Sequence, residues 1–457
     1  MKQYFLIYYT YWQKSVLLVL LFCSNVVCAQ GNFNPFNPSG GQYGSALQQQ
    51  QNTVPASYQP RQQQSYNEYQ KVLQELKQEE LKNAPQLQYE KEQAEKLFAQ
   101  QKLFNDALKS LKDMLSGKKK LSVADAYFLV ENTYGSNYTT YKEYTENLKK
   151  SVAFIKAWIK QNKLSLKNKD DVNNTLQKFM SEPLTTSITT GTLETGMSLQ
   201  TTTHQPYFYD FNDYGAEKDH RSSFVTKVIA TGGGQCASMP IVYIALAQML
   251  GVKAYLSYAP NHSLVKYLNS KGIIENYEPT SNWKINDHWY IDDMFVNEEA
   301  IKSGIYLDTM NYQQIVADCV MQLADFHARK FGIGDGKFMQ ECIDVASKYF
   351  PKDNNIDLCN LRMQLLKVKL ADVITLIRYV RQSPQLSDEY IIADVPKAKK
   401  LYQEIKAIEE HKRQLGYDEQ PKGLYEEMMK HQEFGGKRQT FKGIDGTQKR
   451  NLFQLSK

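Results

Sequence analysis

Residues 231–280 constrain the fold more than any other stretch: TGGGQCASMPIVYIALAQMLG is followed by VKAYLSYAP, HSLVKYLNS and GIIENYEPT, with Asn261 and Lys271 between the runs. Ile241, Val242, Ile244, Ala245, Leu246, Met249 and Leu250 form an apolar helical run, and Gly251 is a suitable stop for it. Pro240 fits a first helical turn, where its missing N–H costs nothing. The glycines at 232–234 allow a tight backbone path into that start. The three runs that follow are short, rich in β-branched and aromatic residues, and separated by turn signals, so they read as strands. A buried helix followed by a meander of short strands specifies an α+β core, with the helix packed on a small antiparallel sheet.

Around this core the chain changes composition several times. Residues 1–29 read as a secretory signal, because Lys2 and Lys14 precede SVLLVLLFC and Val27-Cys28-Ala29 offers a cleavage site before Gln30. The mature protein is therefore expected to be exported, periplasmic or secreted, with membrane contact only through an uncleaved signal anchor. Residues 30–62, rich in Gln, Asn, Gly, Pro and Ser, read as a disordered linker. Residues 63–190 read as helical: two charged helices on either side of Pro85, a helix after Ser122, an apolar-periodic run at 141–161, and SLKNKDDVNNTLQKFM. The Thr-rich run at 187–206 breaks that pattern, and the α+β core is placed at 191–335. Residues 336–415 read as a helical hairpin region of tetratricopeptide-like form, and 416–457 as a basic tail.

The formal charge of +6 is spread over 457 residues, and lysines alternate with glutamates in runs such as YEKEQAEK. That is the pattern of solvated helix faces and gives no reason to expect nucleic acid. Of the six cysteines, Cys23 and Cys28 leave with the signal. Cys236, Cys319, Cys342 and Cys359 are too few for a disulfide framework and lack zinc-site spacing, so neither a metal nor another cofactor is expected. Cys319, Cys342 and Cys359 lie in amphipathic helical runs and read as small buried hydrophobes, with a Cys342–Cys359 bridge as the alternative.

Cys236 has three readings: disulfide partner, buried filler or nucleophile. Its place beside a helix start favours the third, because the unpaired N–H groups and the dipole favour thiolate and can hold an oxyanion. A thiolate nucleophile needs a proton carrier and a group to orient it. His262 opens the second strand-like run and Glu278 closes the third, so neighbouring strands can bring imidazole and carboxylate together. Glu275, Asp287 and Asp292 compete with Glu278, since strand register is not legible to one residue.

Gly-Gln-Cys at a helix start, a histidine on the next strands and Glu278-Pro279-Thr280 resemble the transglutaminase-like superfamily, over residues 207–310. The helical flanks resemble those of exported bacterial members. The resemblance implies a papain-related α+β core with a Cys-His-acid triad: Cys236 as nucleophile, His262 as general base and acid, and Glu278 orienting His262. Gln235 and the Cys236 N–H would border the oxyanion site. It further implies a protein or peptide substrate whose amide becomes a thioester, resolved by water or by an amine. The rival reading is a catalytically inactive transglutaminase-like binding or scaffold protein, suggested by the amount of chain outside the core. Oligomeric state is not legible.

Overall fold

A computed structural model describes residues 59–135, 138–190, 198–213, 215–419 and 449–455. The signal, most of the linker and most of the basic tail lie outside the described residues. The chain divides into two units, Met1–Leu87 and Gln88–Lys457. The described part of the first is the beginning of helix α1 (Gln59–Leu115), and the second contains every other element. Two sequence expectations change here, because α1 starts inside the expected linker and runs unbroken through Pro85. Proline removes one backbone donor, but the Leu, Glu, Gln, Lys and Ala on either side are strong helix formers and carry the helix across.

Helices α2 (Val123–Tyr134), α3 (Tyr141–Gln161) and α4 (Lys169–Ser181) follow. Each start is fixed by a side chain: Ser122 accepts from the Asp125 N–H, Thr140 and Glu143 cap reciprocally, and Asn168 accepts from the Asp170 N–H. Their inner faces bury Tyr127, Val130, Phe154, Ile155, Leu176 and Phe179. Strand β1 (Leu184–Thr190) then begins within the region expected to be helical, and pairs antiparallel with β2 (Ser198–His204). Residues 187–190 and 198–204 of the Thr-rich run that breaks the helical pattern thus lie in two paired strands rich in β-branched residues.

Strand β3 (Phe208–Tyr209), helix α5 (Val225–Thr231) and strand β4 (Gly233–Gly234) lead to helix α6 (Met239–Leu250). Residues 239–247 of α6 are all buried, as expected for a core helix that is apolar on every side. Strands β5 (Ala254–Ala259), β6 (His262–Leu268) and β7 (Ile274–Tyr277) form an antiparallel sheet, with Leu256 opposite Val265 and Val265 opposite Tyr277. Leu256, Val265, Tyr267 and Tyr277 share the core that contains α6. On the other face Ala259 and Leu264 pack with Tyr290, Met294, Val296 and Ile305, from the segment holding helices α7 (Asp287–Asp293) and α8 (Glu298–Ser303). Because the sheet is covered on both faces, residues 262–267 of β6 are all buried instead of alternating.

Helices α9 (Tyr312–Phe331), α10 (Lys337–Ala346), α11 (Ile356–Val380), α12 (Asp388–Asp394) and α13 (Pro396–Gln414) complete the helical flank. Near the C-terminus, β8 (Phe453–Leu455) pairs with β2. Cys342 and Cys359 are buried and unbridged, so the disulfide alternative does not hold. The architecture is α+β, with small antiparallel sheets and a central helix-on-sheet unit between helical regions.

Candidate active site

Cys236 lies in the turn between β4 and α6. The Gln235 carbonyl accepts from the N–H groups of Ser238 and Met239, and the Gln235 N–H donates to Ser238 Oγ at 3.1 Å. Space fixes the approach to this turn: a Cβ on Gly234 would stand 2.7 Å from both Val228 and Met239. Gly232 ends α5 at φ 82°, a conformation glycine adopts without strain. The carbonyl of Cys236 accepts a short hydrogen bond from Ser263 Oγ, so the turn is bonded to the residue next to His262.

His262 opens β6 opposite Ala259, across a tight turn in which Asn261 takes φ 54°. Glu278 follows the last residue of β7. Lys266 pairs with Asn276, and continuing that register sets Glu278 opposite Leu264, two residues along the same face from His262. This is a diagonal cross-strand pair, within reach of long side chains. His262 Nε2 lies 2.6 Å from Glu278 Oε2. The carboxylate also accepts from Thr280 Oγ1 at 2.7 Å, the Thr280 N–H at 3.3 Å and Tyr290 Oη at 3.2 Å. All of these side chains are buried.

Burial disfavours the His262 imidazolium, but the Glu278 carboxylate and hydrogen bonding to the Cys236 side chain outweigh it and raise His262 to about 10. Burial likewise works against the Glu278 carboxylate, yet His262 and Thr280 hold it below its ordinary value. The pair is thus held as imidazolium and carboxylate beside the thiol.

The structure brings Cys236, His262 and Glu278 together, and the rival acids are engaged elsewhere. Glu275 accepts from Tyr267 Oη and Asn269, Asp287 is 2.8 Å from Lys266 Nζ, and Asp292 is exposed. Gln235 was expected to border the oxyanion site. It is buried, and its side-chain amide donates to the Asp213 carbonyl at 2.9 Å and the Asn212 carbonyl at 3.5 Å. It therefore borders the site by tethering that loop, and the Cys236 N–H is left as the candidate oxyanion donor. Ser263, Thr280 and Tyr290 were missed as supports. Ser263 directly follows His262 and Thr280 is itself a residue of the Glu278-Pro279-Thr280 motif, whereas nothing local marks Tyr290.

A cavity of about 360 Å³ opens at Cys236 and His262, with Tyr306 and Met310 on one wall and Asn355 and Tyr417 supplied by the C-terminal flank. Among the described residues no group of three His, Cys, Asp or Glu side chains is placed to hold a metal ion, and no helix is long and apolar enough to cross a membrane.

A cysteine in the turn before a buried helix, a histidine at the start of a neighbouring strand and a carboxylate behind it define the papain-like class of thiol site. Residues 192–324 match the model of the transglutaminase-like superfamily, so the chain contains a transglutaminase-like domain, and all three residues lie inside it. Members of that superfamily are typically cysteine-dependent enzymes acting on protein substrates. No curated protein matches the chain.

Proposed function

We propose that the protein is an exported thiol enzyme that acts on amide bonds of proteins or peptides through a thioester at Cys236. The observation that carries this reading is the 2.6 Å contact of His262 with Glu278, with Cys236 lining the same cavity as His262. Cys236 Sγ attacks the amide carbonyl carbon, and the oxyanion that forms is held by the Cys236 N–H. The C–N bond breaks as His262 gives its proton to the leaving amine. Water or an amine then attacks the thioester, His262 takes the proton of that nucleophile, and the thiol is restored. How well the cleft excludes water decides between hydrolysis and transfer.

Alkylation of the mature protein at graded pH tests the reading. Cys236 should be labelled selectively at pH values where ordinary thiols stay silent, and more slowly in His262→Ala. If it labels no faster than the other three cysteines, the enzyme reading fails and the inactive scaffold takes its place. Export rests on the leader, and secreted protein beginning at Gln30 is the expected product.

A further inference from the structure

The cleft continues past the nucleophile. A second cavity, of about 370 Å³, adjoins the first, and Ala237, Tyr258, Asp357 and Asn360 line both. Ala237 directly follows Cys236, so the two cavities meet where the chemistry is proposed to occur.

The second cavity differs from the first in charge. Glu131, Asp318, Asp325 and Asp357 face it, against Arg329 and His220. Arg329 is held by Asp325 at 2.6 Å, and burial, then Arg329, lowers His220 below its ordinary value. Glu131 has a structural task, since it accepts from the N–H groups of Val225 and Thr226 at the start of α5. Asp318 has no such explanation. It is 2% exposed, and its two hydrogen bonds, from Tyr258 Oη at 3.2 Å and Gln322 Nε2 at 3.1 Å, both go to Oδ2. Among the described residues no donor reaches Oδ1 and no cation pairs with this carboxyl. Burial, and then Asp357, raises the Asp318 carboxyl to about 7, and a cation entering the cavity would favour its charged form and supply the counter-charge.

Building on the thiol reading, we propose that this cavity receives the lysine or arginine side chain of a peptide substrate, next to the amide attacked by Cys236. Asp318 anchors the cation, and the exposed Asp357 attracts it at the rim.

The test uses the mature full-length protein and two N-acetyl dipeptidyl chloromethyl ketones of equal length, one ending in lysine and the other in norleucine. The lysine reagent should alkylate Cys236 about tenfold faster at low salt. The ratio should fall towards one in Asp318→Asn, which keeps an acceptor for Tyr258 and Gln322, and should fall in part in Asp357→Asn. Equal rates in the wild type, or a ratio that survives both substitutions, would overturn the proposal. Calorimetry of Cys236→Ala with the matching N-acetyl dipeptide amides separates this from failure of the thiol reading. A lysine preference in binding without any labelling of Cys236 removes the chemistry and keeps the cavity assignment, whereas equal affinities remove the assignment.

Discussion

Cys236 and Cys319 are both buried cysteines, yet the charges beside them are of opposite sign. Cys319 is fully buried within α9, where burial first, then the carboxylates of Asp318 and Glu131, push its thiol well above the ordinary value. Cys236 sits in a turn, with its carbonyl tied to Ser263 and its side chain on the same cavity as His262, whose imidazolium is held by Glu278. Burial alone therefore does not make a cysteine reactive or inert. The sign of the neighbouring charge does, and the turn before α6 selects that neighbour.

The largest expected effect tests this contrast directly. In His262→Ala, turnover of a peptide p-nitroanilide should fall by about 10³- to 10⁴-fold, because the proton carrier is lost. Mass spectrometry of the iodoacetamide-treated native protein should show Cys236 modified and Cys319 untouched. Modification of Cys319 at a rate matching Cys236 would break the comparison.

A smaller loss, roughly 10²-fold, is expected for Glu278→Gln, which keeps an acceptor for Thr280 but removes the charge facing His262. Its direction with pH is specific. His262 is raised from 6.5 to about 10 in the folded protein, so its contribution to stability is fully present below pH 6.5 and is lost as pH rises through about 10. Glu278 is lowered from 4.5, so its contribution is present above pH 4.5 and is lost as pH falls through the lowered value. Without the carboxylate, burial acts on His262 with less opposition. The alkaline limb of turnover should move down from near pH 10, and the loss of melting temperature should be largest between pH 4.5 and 6.5 and shrink as pH rises towards 10. An unmoved limb would mean that Glu278 does not set the charge on His262.

The parts of the fold legible in the sequence were those with strong local signals. The apolar run ending at Gly251 gave α6, the Val, Ile and Tyr runs gave β5 to β7, and Ser122 marked the start of α2. What escaped depends on partners distant in the chain. β3 and β4 have two residues each and exist only because Phe208 pairs with Gly233 and Tyr209 with Gly234. Glu278 could not be separated from Glu275 because register was unknown. Glu275 lies opposite Tyr267 and Glu278 continues opposite Leu264, so the pleat turns the two carboxylates to different faces. Gln235 was expected at the border of the oxyanion site, and its tether was not legible because the loop carbonyls at 212–213 that take its amide lie more than twenty residues earlier.

Tyr290 offers the smallest and most discriminating test. It lies on α7, fully buried, and donates at 3.2 Å to Glu278 Oε2, the same oxygen that meets His262 Nε2. Burial and the Glu278 carboxylate push its phenol far above the ordinary value, so it acts only as a neutral donor. Tyr290→Phe keeps the ring against Met294 and Val296 and removes one hydrogen bond, a change of about 1 kcal/mol, or roughly fivefold in turnover. The sign of the pH shift is what separates the two substitutions. The phenol competes with His262 for Oε2, so its loss leaves that oxygen more fully to the imidazolium, and the alkaline limb should move slightly up, opposite to Glu278→Gln. Downward movement would show that Tyr290 serves mainly to hold Glu278 in place, and that the diagonal pair does not keep its geometry unaided.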